Sequence, residues 1–342
     1  MIYPEHFEEK IGFTQIRDIL ASNCISDLGK HHIGGMDFTD NKEKIAQWLG
    51  ETEEFRQVLL SPSSFPEQDY YDLTPEFSRI KVEGTFIDFQ KLIDIRISLE
   101  TILSCKDYFR KAEPGLYPLL TSITEAIEVD RSIIDYIKKI LDDKGRIRDN
   151  ASPGLLNIRK QLNSKQSKID RMMSKALASA KNDGITPEDV EVTIRSGRLV
   201  IPVLAANKRK IHGFIHDESS TGQTVYIEPT DVFDLNNEIR ELENAEKREI
   251  IKILSDFTIF LRPHLEVLKE AYLILGKLDF IRAKARLAIS VGGIMPQLTE
   301  GTLIDWTDAV HPLLYLSHKA RKAEVVPLTI RLDKKQRILV IS

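Results

Sequence analysis

Cysteine is nearly missing: Cys24 and Cys105 are the two in 342 residues, far apart and without neighbouring ligand-type residues. That excludes a disulfide framework, offers no structural zinc site and fits a reducing cytoplasm. No apolar stretch approaches the length of a membrane span, and the opening MIYPEHFEEK lacks the basic region and apolar run of a signal peptide. A membrane is therefore not an expected partner. An excess of one charge is missing too. With a formal net charge of -4, any contact with nucleic acid has to come from a local basic surface. A GxxxxGK[ST] phosphate loop is also missing, so no cofactor is expected to bind within these residues.

What remains is an ordinary globular composition, 42% hydrophobic and 29% charged, which excludes disorder of the whole chain. The length favours roughly two or three domains. Residues 5–60 read as helices: Phe13, Ile16, Ile19 and Leu20 share one face, and Ile45, Leu49, Phe55, Val58 and Leu59 continue the pattern past Gly34-Gly35. Ser61 to Tyr71, with two prolines, reads as a loop. Helical periodicity resumes over Phe89 to Phe109 and Ile123 to Leu141, and Asp142 to Asn150 is a charged turn or linker.

After Ser152-Pro153, Leu155, Ile158, Leu162, Ile169, Met172, Met173, Ala176 and Ala180 recur every three or four residues. They predict a helix of about 28 residues, or about 42 Å. Met172 and Met173 are core fillers in that stripe. A helix this long needs a partner, and Asp231 to about Leu261 carries a matching stripe through Leu235, Ile239, Leu242, Ile250, Ile253, Phe257 and Leu261. Gly154 to Asn182 contains seven Lys or Arg and one acidic residue; Asp231 to Lys252 contains seven acidic and four basic. Antiparallel pairing brings these charges together favourably.

Between the two helices the period changes to 2. Glu191 to Arg195, Leu199 to Leu204, Lys210 to Asp217 and Gln223 to Ile227 read as strands separated by turns at Ser196-Gly197, Ala206 to Arg209 and Ser219 to Gly222. The expectation is a small antiparallel sheet at the far end of a helical hairpin. Leu265 to Ser290 is further helix, broken at Gly292-Gly293. Val325 to Leu332 and Arg337 to Ile341 read as strands around Asp333-Lys334-Lys335, and the final ILVIS leaves a sheet edge unfinished, as in a piece of a larger protein.

Several motifs imitate chemistry. ESSTGQTVYIEP, from Glu218 to Pro229, has glycine and hydroxyl residues but reads as a hairpin turn entering a strand, with Asp231 capping the next helix. His212 and His216 have no third metal ligand, and Asp217, Glu218 and Ser220 have proximity without triad geometry. The pairs Asp142-Asp143 and Asp217-Glu218 are adjacent rather than arranged as a metal clamp. No catalytic or metal-binding residue is expected. His31-His32 belong to a helix end. The one set that fits a binding role is basic: Arg195, Arg198, Lys208, Arg209 and Lys210, presented by turns at the head. These cations suit phosphate attraction without a base-reading code, and sparse aromatics argue against a stacking platform.

The segments RSGRLVIPV (Arg195 to Val203), KIHGFIHDESSTGQTVYIEP (Lys210 to Pro229), LNNEIRELENAEKREI (Leu235 to Ile250), LDFIRAKA (Leu278 to Ala285) and HPLL (His311 to Leu314) resemble the MutS family, specifically its shorter bacterial branch without mismatch-reading domains. The resemblance runs through nearly the whole chain, including GFTQIRDIL near its start. It implies a mainly α fold: a helical core over 1–150, an outgoing lever helix over 151–189 and a β clamp over 190–229. Returning lever and core helices over 230–310 and the start of a truncated ATPase domain over 311–342 complete it.

It also implies a homodimeric cytoplasmic ATPase when full length, using ATP and magnesium supplied beyond these residues, and in many relatives a nuclease-like domain as well. Branched or structured DNA and the control of recombination are the implied partner and role. The alternative is a ribosome-associated, RNA-contacting or protein-interaction arm. His311-Pro312 resembles the family's junction entering the ATPase domain.

Overall fold

The computed structural model describes residues 6–62, 65–66 and 69–339. In chain order the elements are α1 (Phe7–Lys10), α2 (Phe13–Asn23), α3 (Asp27–Gly34), α4 (Lys42–Leu60), α5 (Thr74–Ile80), α6 (Phe89–Lys111), α7 (Pro118–Glu125), α8 (Arg131–Ile140) and α9 (Pro153–Asn182). The strands β1 (Thr193–Arg195), β2 (Arg198–Leu204), β3 (Gly213–Glu218) and β4 (Thr224–Pro229) follow. Then come α10 (Thr230–Leu261), α11 (Leu265–Val291), β5 (Ile304–Ala309), α12 (Pro312–Arg321) and β6 (Leu328–Leu332). The fold is mainly helical with a small inserted antiparallel sheet. It divides into two compact units, one made of 1–134 with 261–342 and the other of 135–260.

In the first unit α11 is the central helix. It is apolar on most of its circumference, and Leu265, Leu268, Ala271, Tyr272, Leu275, Leu278, Ile281, Ala283 and Ala285 are all buried. Its two buried charges join the ends of neighbouring helices. Asp279 accepts hydrogen bonds from the backbone N–H of Ile25 at 3.0 Å and of Ser26 at 3.2 Å, just before α3. Arg282 donates to the carbonyl of Asn23, the last residue of α2, at 2.9 Å. An anion thus faces a helix N-terminus and a cation a helix C-terminus, as the helix dipoles favour. A Cβ on Gly29 would sit 2.3 Å from Asp279 Oδ2, so α3 approaches this closely only because position 29 is glycine. This is the physical content of the LDFIRAKA segment.

Cys24 and Cys105 are free, and burial pushes both thiols up to about 12, which leaves neither as a thiolate near neutral pH. His31 and His32 occupy the last turn of α3, where His32 stacks on Phe280 at 5.8 Å and burial lowers its pKa.

The described elements differ from expectation in three places. The helix expected across Ile123 to Leu141 is two, α7 and α8, because Asp130 Oδ1 accepts the N–H of Ser132 at 2.8 Å and starts a new one. The strand β6 pairs with β5, not with a strand after the 333–335 turn. That turn does form, with Asp333 Oδ1 accepting from Lys335 N and Gln336 N, but Arg337 to Leu339 have no strand partner among the described residues. Residues 340–342, the rest of the expected strand, lie outside the described residues, as do 63–64 and 67–68 of the expected Ser61 to Tyr71 loop.

In the second unit α9 and α10 run antiparallel, because partners on α10 descend as those on α9 ascend. Ser152 donates to Glu249 at 2.7 Å, Arg159 to Glu246 at 2.7 Å and Lys165 to Glu238 at 2.5 Å. Lys165 holds the Glu238 carboxyl below its ordinary range. Ser152 caps α9 by accepting the N–H of Leu155, and Pro153 sits at the first helical position, where its missing donor is harmless. Deletion of any one of these surface ion pairs costs little; the apolar stripe is what holds the hairpin.

The four strands form one sheet in the order β1-β2-β4-β3, every neighbour antiparallel. Its inner face, Ile201, Val203, Val225 and Ile227, packs with Ile169, Met173, Val232, Leu235 and Ile239 from the two helices. Ser196 and Gly197 both take positive φ, 51° and 74°, and close a two-residue hairpin whose left-handed residues match the strand twist. Since β2 and β3 both lie beside β4, the connection over 205–212 is a crossover rather than a turn.

Candidate nucleic-acid interface

The head's polar residues separate into an internal network and an outer basic segment. Glu228 alternates with Ile227 along β4, so it points away from the apolar face. It is 0% exposed. Its carboxylate accepts from Arg198 Nη1 at 2.8 and 3.1 Å and from Asn236 Nδ2 at 2.6 Å, and lies 2.5 Å from His216 Nε2. Arg198 also donates to Asn237 Oδ1 at 2.5 Å, and its guanidinium carbon lies 5.2 Å from the centre of the Phe233 ring. An unpaired carboxylate here would be costly; β2, β3 and α10 supply the groups that satisfy it. His216 reaches it because β3 carries a bulge between Ile215 and Asp217, which re-aims the side chain.

The five basic residues read from the sequence therefore have different surroundings. Arg198 is internal, its side chain 14% exposed. Arg195 lies over Tyr226, 4.2 Å from the ring centre, and pairs with Asp217 at 3.4 Å. Lys208, Arg209 and Lys210 are exposed and consecutive on the crossover.

That crossover is pinned at both ends. Asn207 Nδ2 donates to the carbonyls of Gly184 and Ile185 at 3.2 Å, and the N–H of Thr230 donates to the His212 carbonyl at 3.0 Å. Three cations on a short tethered segment present a concentrated positive surface, able to attract phosphates without reading bases.

The ESSTGQT segment is a hairpin turn: Ser219 Oγ accepts the N–H of Thr224 at 3.0 Å, and the N–H of Gly222 donates to the Ser219 carbonyl at 2.8 Å. Asp217 is engaged by Arg195 and by the N–H of Glu218 at 2.9 Å. Among the described residues no group of three His, Cys, Asp or Glu is placed to hold a metal ion, and no helix is long and apolar enough to cross a membrane.

Sequence reading missed the Glu228 network, whose members are far apart in the chain, and Phe214, which is 50% exposed at the start of the edge strand β3.

Two long antiparallel helices carrying a small antiparallel sheet inserted between them form a lever with a clamp-like head. Across 331 residues the chain is 29% identical to the endonuclease MutS2 of Alkaliphilus oremlandii (strain OhILAs) and 31% identical to that of Clostridium perfringens (strain SM101 / Type A). Over 334 residues it is 30% identical to the endonuclease MutS2 of Pelotomaculum thermopropionicum, which covers 98% of this chain and 41% of the relative. No family model matches the chain. The chain is thus a MutS2-like core, lever and clamp, and it spans 41% of the length of the curated relatives it matches.

Proposed function

We propose that this chain is the nucleic-acid-handling arm of a longer MutS2-like ATPase, and that its clamp contacts branched or structured DNA. The observation that carries the reading is the exposed Lys208-Arg209-Lys210 crossover, tethered through Asn207 to the segment that follows α9 and through His212 to the first residue of α10. Phosphate contact by such a segment is electrostatic, so it favours DNA with closely spaced backbones over any particular sequence. Arg195 on β1, beside the partly covered Tyr226, adds a fourth cation outside the crossover; Arg198 serves the site by fixing the sheet.

ATP hydrolysis with magnesium, dimerisation and any nuclease step belong, in this reading, to residues beyond these 342. The exposed apolar side chains Trp306, Leu328 and Ile338 on the terminal strands and the segment after them are where an ATPase domain would dock. A ribosome-associated or protein-binding arm is the competing reading, and the exposed Ile194 and Ile215 on the sheet are what favour it. Binding of the full-length protein to branched DNA, linear DNA and ribosomes, side by side at controlled salt, tests both. Tightest binding to branched DNA with a steep salt dependence is expected. Preference for ribosomes with equal, weak binding to both DNAs would replace the reading with its competitor.

A further inference from the structure

Phe214 stands where an interior residue would not. It is 50% exposed, and the strand carrying it begins three residues after Lys210. Its ring is not loose. Phe233 of α10 lies against it at 4.8 Å between ring centres, Arg198 lies over Phe233 at 5.2 Å, and the buried Glu228 fixes Arg198 at 2.8 Å. The strand is held as tightly: a Cβ on the preceding Gly213 would sit 2.2 Å from the Glu228 carbonyl oxygen, so β3 approaches β4 as only a glycine permits. An anchored carboxylate thus supports a cation, the cation an aromatic ring, and that ring a second one with half its surface open. Rigid aromatics of this kind bind flat partners with little entropy loss.

The charge beside it selects the partner. The cations Lys208, Arg209 and Lys210 precede Phe214 in the crossover, while the exposed acids Asp217 and Glu218 lie at the other end of β3. An anionic chain laid here has its phosphates at the basic end and whatever adjoins them over the ring.

We propose that Phe214 is the base-contacting residue of the clamp, on which an unpaired nucleobase of branched DNA stacks while Lys208, Arg209 and Lys210 hold the adjoining phosphates. This rests on the nucleic-acid reading of the clamp and narrows it to DNA with unpaired bases. Base stacking on an aromatic residue is tolerant of sequence, which agrees with a head lacking a base-reading pattern.

The test uses the full-length protein and a three-way DNA junction with a single-stranded flap, compared with the same flap made abasic, a linear duplex and an RNA flap. Phe214→Leu, which keeps apolar bulk against Phe233, is expected to weaken flap binding about tenfold while leaving duplex binding and the salt slope unchanged. The abasic flap should cost the unmodified protein the same factor and Phe214→Leu nothing more. Phe214→Trp, which keeps the aromatic surface, should bind the flap as tightly as the unmodified protein. Equal binding of base-containing and abasic flaps, or a silent Phe214→Leu, overturns the proposal, and so does tighter binding of the RNA flap than of the DNA flap. Neutralising Lys208, Arg209 and Lys210 separates the two levels. If that weakens all DNA while Phe214→Leu is silent, the stacking inference alone fails; if it changes nothing, the underlying reading fails with it.

Discussion

Arg198 on β2 and Glu228 on β4 form a buried ion pair, with one guanidinium nitrogen 2.8 and 3.1 Å from the two carboxylate oxygens. The pair joins the sheet to α10 through Asn236 and Asn237. Removing one partner leaves a buried charge without its counterion, which typically costs about 3–5 kcal/mol. Arg198→Ala should therefore destabilise the head by about that amount, read as reduced amide-exchange protection in β2 and β4. The double variant Arg198→Met with Glu228→Gln should recover most of it. A single variant costing below about 1 kcal/mol would show that the pair does not hold the sheet.

The core unit depends in the same way on Asp279. Asp279→Ala removes the acceptor for the N–H groups of Ile25 and Ser26 and leaves Arg282 beside the Asn23 carbonyl without its anion. A loss of about 2–4 kcal/mol is expected in urea unfolding. Gly29→Ala, which pushes a methyl group into the Asp279 carboxylate, should destabilise too. Full retention of the unfolding midpoint in both variants would refute this role.

Lys284 gives a pH dependence. Burial lowers its pKa to about 8, against an ordinary 10.5, with Glu51 opposing the shift and Lys277 adding to it; His32 also lies within their field. Below about pH 8 both folded and unfolded chains carry the charge, and the folded state bears the cost of partly burying it, offset in part by the Phe280 ring, whose centre is 4.9 Å from the ammonium. Between about pH 8 and 10.5 the folded chain releases this proton before the unfolded chain does, so stability rises with pH by up to about 1.4 kcal/mol per unit. Lys284→Met should remove that rise and stabilise the protein near pH 7, which unfolding midpoints at pH 7 and 9.5 would register. A rise that persists unchanged in Lys284→Met would assign it to other groups.

The long helices were legible because the stripes through Leu155 to Ala180 and Leu235 to Leu261 repeat over many turns, and the clamp because Leu199 to Leu204 and Gln223 to Ile227 alternate. Local pattern carries that far. It failed where the deciding partner is distant or the element short. The helix Thr74–Ile80 has only seven residues, and β5, sequence IDWTDA, has too few apolar residues to announce a strand. The candidate interface was legible as a cluster of cations, without their different surroundings. Arg198 and Lys208 look alike in sequence, and the difference between them is a carboxylate 30 residues from Arg198 along the chain. Likewise, alternation cannot tell that Phe214 lies on an edge strand, since the order β1-β2-β4-β3 is set by the crossover.

On the proposed reading, ATP turnover should separate the arm from the longer protein. The 342 residues alone, highly purified, with ATP and magnesium, are expected to release no phosphate, because the phosphate cradle is missing from their sequence. The longer protein should hydrolyse ATP under the same conditions. Robust turnover by the arm that survives removal of contaminating enzymes would contradict the proposed reading.

Whether the clamp holds DNA through the Lys208-Arg209-Lys210 crossover is tested most directly by the affinity of the full-length protein for a branched DNA across a range of salt. With these three residues replaced by glutamine, affinity should fall, and the slope of log affinity against log salt should flatten by about 0.7–0.9 for each phosphate that is no longer neutralised. An affinity and slope equal to those of the unmodified protein would contradict a DNA-holding role for the crossover.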